Sequence, residues 1–169
     1  MSYADHVKSS QETIVRCAVI TLSDTRTIET DTSGKKIVEL LQTENHTLAD
    51  YRILKDDPRE LEPWIAQVLI HEQVDAILTT GGTGISHRDQ TIAVIEKTLE
   101  QPLPGFGELF RQLSYAQIGS GAMLSRATAG IAKGKLIFAM PGSTAAVELA
   151  MTKLILPEIR HLLHELNKR

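Results

Sequence analysis

Short apolar runs alternate along the chain with stretches whose apolar residues recur every three or four positions. Ile14 to Leu22 is nearly continuous in apolar residues, broken only by Arg16, Cys17 and Thr21, and has the length of a buried strand. Ile37, Leu40, Leu41 and Glu44 follow with helical spacing, Asn45-His46 marks a stop, and Ala49 to Leu54 reads as a second strand. Asp57-Pro58-Arg59-Glu60 is a helix start with Asp as cap, Pro in the first turn and Glu reaching back; Leu61, Ile65, Val68 and Leu69 form its apolar face. Asp75 to Thr79 is a third strand, and Thr91 to Leu99 returns to helical spacing. Pro102, Pro104, Gly105 and Gly107 break the chain before an amphipathic stretch from Glu108 to about Ala116. Ala127 to Ile131 and Leu136 to Met140 are strands joined in a tight hairpin at Lys133-Gly134. Ser143 caps a last helix through Val147, Ala150, Met151 and Leu154, which Pro157 bends or restarts.

This alternation predicts an α/β fold whose mainly parallel, mixed sheet is covered by helices on both faces. Ligands of such sheets bind outside the carboxyl ends of the strands, so the loops that follow strands are where chemistry is expected. Residues 1–13 are polar and aperiodic and predict a flexible extension, with 14–169 as one domain of a size that a single core supports. A hydrophobic fraction of 42% with 23% charged residues suits a packed globule. The net charge of −3 offers no basic stripe for nucleic acid. No apolar run has the length of a membrane span, and the N-terminus lacks the apolar core of a signal peptide. Cys17 stands alone, which excludes an intramolecular disulfide and predicts a reducing, cytoplasmic setting.

Thr79-Thr80-Gly81-Gly82-Thr83-Gly84 is a glycine-rich turn between strand and helix, where bare backbone N–H groups can approach a phosphate or carboxylate. It matches neither the dinucleotide fingerprint, where His87 stands in place of the third glycine, nor the P-loop. A tight structural turn is the alternative. Asp89 follows beside Arg88, and Asp56-Asp57 ends the second strand, so two strands deliver carboxylates to one edge, where Mg²⁺ could bridge them to phosphate oxygens. Helix capping accounts for Asp57 but not for Asp56. Pro141-Gly142-Ser143 is a second strand-to-helix junction able to hold an anion, or simply a cap. Ser125-Arg126 adds a hydroxyl and a guanidinium suited to phosphate or to a salt bridge. Ser23-Asp24-Thr25-Arg26 is polar at the same edge, with Asp24 capping or ordering its loop. His161 and His164 suggest no third metal ligand and read as solvent-exposed; Cys17 reads as a packed thiol. The nucleophile elbow Gly-x-Ser-x-Gly is absent, which argues against hydrolase chemistry.

Taken together, Val19 to Thr25, Thr79 to Gly84 with Arg88-Asp89, Pro104-Gly105-Phe106-Gly107-Glu108, Leu124-Ser125-Arg126-Ala127 and Met140-Pro141-Gly142-Ser143 resemble the molybdopterin-binding MoaB/Mog family over about residues 14–165. Phe106 to Ile118 with Gly119-Ser120 and the extra N-terminal residues look closer to the MoaB branch. The resemblance implies a three-layer α/β/α fold that binds molybdopterin and adenylylates its terminal phosphate, with Mg²⁺ as cofactor and ATP as co-substrate, releasing pyrophosphate. It implies Asp56 and Asp89 as catalytic, metal-binding acids. It further implies a substrate site of Ser23, Asp24, Thr80, Gly81, Gly82, Thr83, Gly84, Glu108, Ser125, Arg126, Pro141, Gly142 and Ser143. The family's acidic loop often reads Pro-Asp-Glu or Lys-Asp-Asp, which aligns Asp56 with the first acid and leaves Asp57 as an alternative metal ligand. A homotrimer or hexamer and a downstream molybdate-inserting protein are implied partners. The rival function is a non-catalytic molybdopterin carrier or scaffold. An NAD-linked oxidoreductase would fit the fold class but lacks its glycine fingerprint.

Overall fold

The computed structural model describes residues 12–168, so most of the expected extension at 1–13 lies outside the described residues. The strands are β1 (Arg16–Leu22), β2 (Thr47–Leu54), β3 (Ala76–Thr80), β4 (Gln101–Pro102), β5 (Thr128–Ala132) and β6 (Lys135–Met140). They form one six-stranded sheet in the order β2-β1-β3-β6-β5-β4. The β1–β2, β1–β3 and β3–β6 pairs are parallel, while β5 runs antiparallel to both β6 and β4, so the sheet is mixed. The helices are α1 (Thr32–Thr43), α2 (Pro58–Leu69), α3 (Thr91–Thr98), α4 (Pro104–Ile118), α5 (Thr144–Ala150) and α6 (Leu156–Leu166).

Successive strand side chains point to opposite faces, and the three central strands are apolar on both. Val19, Leu78 and Phe138 face α1, α4, α5 and α6; Ala18, Ile77 and Ile137 face α2 and α3. The result is three layers with every parallel strand ending at the same edge. No helix among the described residues is long and apolar enough to cross a membrane.

Local signals explain most boundaries. Asn45 adopts φ 59°, stopping α1 before β2, and Lys133 and Gly134 take φ 49° and 70°, the left-handed pair that a two-residue hairpin needs. Asp57 caps α2 by accepting from Arg59 N, and Glu60 reaches back to Lys55 N. The last two helices are joined by a π turn at Met151–Ile155, because Pro157 has no N–H to continue the α ladder and its ring crowds the preceding turn.

Two expectations are corrected. The helix expected from Glu108 starts at Pro104, whose fixed φ suits a first turn, and it carries Gly105 and Gly107 inside it. Gly107 is there for close packing, since a Cβ would meet the Ala127 carbonyl oxygen at 2.5 Å. His161, expected in solvent, is half-buried against Glu158 on its own helix.

His46 gives a pH prediction. It is buried behind β1, its Nδ1 accepts from Val15 N at 3.2 Å, and its Nε2 has no partner. Burial, with Arg160 nearby, pushes its pKa down to about 4. The unfolded chain therefore binds the proton first, and stability falls as pH drops from about 6.5 towards 4. The loss attributable to this group should reach about 2 to 3 kcal/mol. Urea unfolding at several pH values, with and without His46→Gln, measures it; an unchanged slope in the variant would remove His46 as the cause.

Candidate functional site

The edge where the parallel strands end carries two glycine loops in contact. After β3, Gly81 and Gly82 take φ 97° and 63°, values that a side chain strains to reach. Gly81 N donates to Met140 O at 3.1 Å, and a Cβ on Gly142 would meet the Gly81 Cα at 3.2 Å, so the β3–α3 and β6–α5 loops lie one against the other. Several of their carbonyls accept hydrogen bonds. Thr91 N donates to Gly82 O at 3.1 Å, Arg126 Nε to Thr83 O at 2.9 Å, Arg126 Nη2 to Gly84 O, and the Thr80 hydroxyl to Pro141 O at 3.0 Å. In a trans peptide the C=O and N–H point opposite ways, so with the Gly82 and Pro141 carbonyls held, the Thr83 and Gly142 N–H groups point away from those donors. Those of Gly82, Thr83, Gly142 and Ser143 find no acceptor among the described residues. Ser143 also caps α5, its hydroxyl accepting from Ala146 N at 3.2 Å.

Asp56 and Asp89 stand over this loop. A Cβ on Gly82 would lie 2.5 Å from Asp56 Oδ1, and one on Gly84 would lie 2.6 Å from Asp89 Oδ2. Burial raises the Asp56 pKa, and the negative charges of Asp89 and then Asp24 raise it further; Arg88 opposes them. The Thr91 hydroxyl pulls the same way as Arg88, although it is buried and makes no hydrogen bond of full geometry. Asp89 is held low, chiefly by the Ser86 hydroxyl, which donates to its Oδ2 at 2.6 Å beside Ser86 N at 2.9 Å. Asp57 is placed otherwise. Its carboxylate caps α2 and pairs with Arg59 at 2.6 Å, which brings its pKa down to about 2. Of the two adjacent acids, Asp56 faces the loop and Asp57 faces its own helix.

The remaining candidates divide. Asp24 is ion-paired with Arg88 across the mouth, and Ser23 orders its own loop by accepting from Thr25 N and Arg26 N. Arg126 also reaches Asp89 O at 2.8 Å, so its Nε and Nη2 brace the glycine loop, and Ser125 sits beside it with its N–H donated to Ala122 O. Glu108 stands apart from the loops. It lines a cleft of about 340 Å³ with Glu96, Arg111 and Thr128, whose lining also includes Ala127, the residue after Arg126. No group of three or more His, Cys, Asp or Glu among the described residues is arranged to hold a metal with side chains alone.

Sequence reasoning missed Asp31. It is fully buried at the start of α1 and accepts from Thr21 Oγ1 at 2.5 Å, Tyr51 Oη at 2.6 Å, Gly34 N at 3.0 Å, Ser33 Oγ at 3.1 Å and Arg26 Nη1 at 3.3 Å. These bonds favour the charged form and bring its pKa down although burial, the largest influence, acts the other way. The signal was an Asp immediately before Thr-Ser-Gly at a helix start, legible as a cap and silent about the arginine it holds.

The chain resembles known proteins over most of its length. Residues 18–161 match the family model described as "Probable molybdopterin binding domain". A molybdenum cofactor biosynthesis protein B of Bacillus subtilis is 49% identical over 169 residues, covering 99% of both chains. A crystal structure of a molybdenum cofactor biosynthesis protein B superimposes with a TM-score of 0.90 at 49% identity, covering 93% of this chain and 98% of that one. The tungsten cofactor synthesizing protein MoaB from Pyrococcus furiosus superimposes with a TM-score of 0.83 at 35% identity, covering 92% and 98%.

Proposed function

The chain belongs to the probable molybdopterin-binding domain family, and from that premise we propose that it binds molybdopterin and transfers AMP from MgATP to its terminal phosphate. The observation that carries the reading is the set of unpartnered N–H donors on two touching loops, with two carboxylates close to the first of them. Donors alone would suit any anion. Two acids beside them raise the electrostatic cost of binding a phosphate unless a cation comes with it.

In this reading an oxygen of the molybdopterin phosphate forms a bond to the α-phosphorus of ATP. The bond from that phosphorus to the bridging oxygen breaks, and its electron pair leaves with pyrophosphate. The nucleophile is already an anion at neutral pH, so no general base is required, and the chain's work is to hold two repelling anions in line. The N–H groups of Gly82, Thr83, Gly142 and Ser143 would take phosphate oxygens, with Arg126 keeping the first loop in shape. Asp56 and Asp89 would hold magnesium together with phosphate oxygens and water, as suits an ion that seldom relies on protein ligands alone. Bound there, the ion would neutralise charge on the leaving pyrophosphate. The cleft lined by Glu108 lies by β5, two strands or about 10 Å from β3, and suits the pterin end of the ligand.

A cytoplasmic setting fits the single buried Cys17, whose thiol pKa burial drives upward and whose reactivity is correspondingly low. Exposed Leu109, Tyr115, Ile118, Met123 and Leu124 along α4 and the turn after it would supply subunit contacts for a trimer or hexamer. The product would pass to a separate molybdate-inserting protein. Pyrophosphate release on mixing the protein with ATP, magnesium and molybdopterin tests the activity. Release is expected only with all three present; tight molybdopterin binding without release would make the protein a carrier.

A further inference from the structure

Arg26 lies in the β1–α1 loop, and its guanidinium reaches both the start of α1 and the β6–α5 loop. Its Nη1 donates to Ser33 Oγ and, at 3.3 Å, to the buried Asp31 carboxylate; its Nη2 donates to Gly142 O at 3.1 Å. One planar guanidinium thus ties the start of α1 to the β6–α5 loop, across 116 residues of sequence. Asp31 is itself fixed by Thr21 from β1 and Tyr51 from β2, so the anchor belongs to the sheet rather than to a mobile loop. A second contact joins the same elements, between the Thr32 and Thr144 hydroxyls at 2.9 Å.

We propose that Arg26, aimed by Asp31, is the positioning residue that sets the Gly142–Ser143 peptide so that the Ser143 N–H faces the phosphate of the bound ligand. This rests on the anion-binding reading of the two loops given above. The carbonyl that Arg26 holds belongs to the peptide whose N–H is that of Ser143, and a planar trans peptide turns the two groups in opposite directions. Thr80 does the same for the preceding peptide through Pro141 O. Glycine at 142 has no side chain to fix that peptide, so its rotation is set by what its carbonyl finds. Without Arg26 the carbonyl is free to turn outward, and a carbonyl presented to a phosphate repels it. A lysine at 26 could reach Gly142 O but has no planar fork to join Ser33, Asp31 and the carbonyl at once.

The test follows backbone amides of the full chain by NMR while magnesium pyrophosphate is added. In the unaltered protein the amides of Gly82, Thr83 and Ser143 should all shift. In Arg26→Gln the Gly82 and Thr83 amides should still shift, the Ser143 response should vanish, and pyrophosphate affinity should fall about tenfold, the order of one charge-assisted hydrogen bond. Arg26→Lys should give an intermediate result, and serves alone if the glutamine variant does not fold. An unchanged Ser143 response in either variant overturns the proposal while leaving the anion site intact. Loss of all three responses together in a folded variant also overturns it, since Arg26 would then be supporting the whole edge. If no amide shifts in the unaltered protein, the anion site falls and the proposal with it.

Discussion

Replacing Asp56 by asparagine should reduce AMP transfer by about 10²- to 10³-fold, the scale on which one preorganised electrostatic contact to a transition state operates. The fold should not suffer. Asp56 is half-buried beside the charges of Asp89 and Asp24, and these together raise its pKa, so its ionised form is disfavoured in the native state. The sign follows: this group stabilises the fold when protonated, and that contribution is lost as pH rises through its folded pKa, leaving a net penalty at neutral pH. Asparagine keeps the size and removes the charge, so the melting temperature should hold or rise. That combination separates a cation-binding acid from one that merely shapes the loop. Pyrophosphate release and a thermal melt on the same preparation decide it. A variant that melts early and loses activity in proportion would show Asp56 to be structural.

The β-α order, the mixed sheet and the hairpin at Lys133-Gly134 follow from local periodicity and turn chemistry, which one chain carries in full. So does the delivery of Asp56 and the glycine loop to one edge, because parallel strands must end together. Gly105 and Gly107 misled, since two glycines after proline look like a break. Pro104 starts the helix locally, and Gly107 has a tertiary reason, the close approach of α4 to the Ala127 carbonyl. The π turn before Pro157 was legible only as a disturbance. Asp31 and Arg26 were invisible as a pair because their partners come from β1, β2 and the β6–α5 loop, and no spacing rule joins them. Asp56 and Asp57, neighbours in sequence, were told apart by the capping signal of Asp57-Pro58, and they do face different elements in space.

Changing Gly81 to alanine should be the most damaging single-methyl substitution at this edge, costing about 3 to 5 kcal/mol. Two independent penalties coincide there. At φ 97° a side chain is strained wherever it points, and here the Cβ would run into the main-chain carbonyl of Leu22. A flexible side chain could swing away from such a contact. Leu22 O cannot, because Leu22 ends β1, where it is paired with Leu54 of β2 and follows directly on Thr21, paired with Thr80 of β3. For a chain of this size each kcal/mol moves the melting temperature by about 2 to 4 °C, so a drop of about 10 °C is expected. Gly105→Ala supplies the contrast. It lies in the first turn of α4 with nothing near its Cβ, and should hold or raise stability by up to about 1 kcal/mol. Thermal melts of the two variants beside the unaltered protein make the comparison. If Gly81→Ala melts with the parent, the β3 turn does not lie against the end of β1, and the cradle of N–H groups built on that turn loses its geometry.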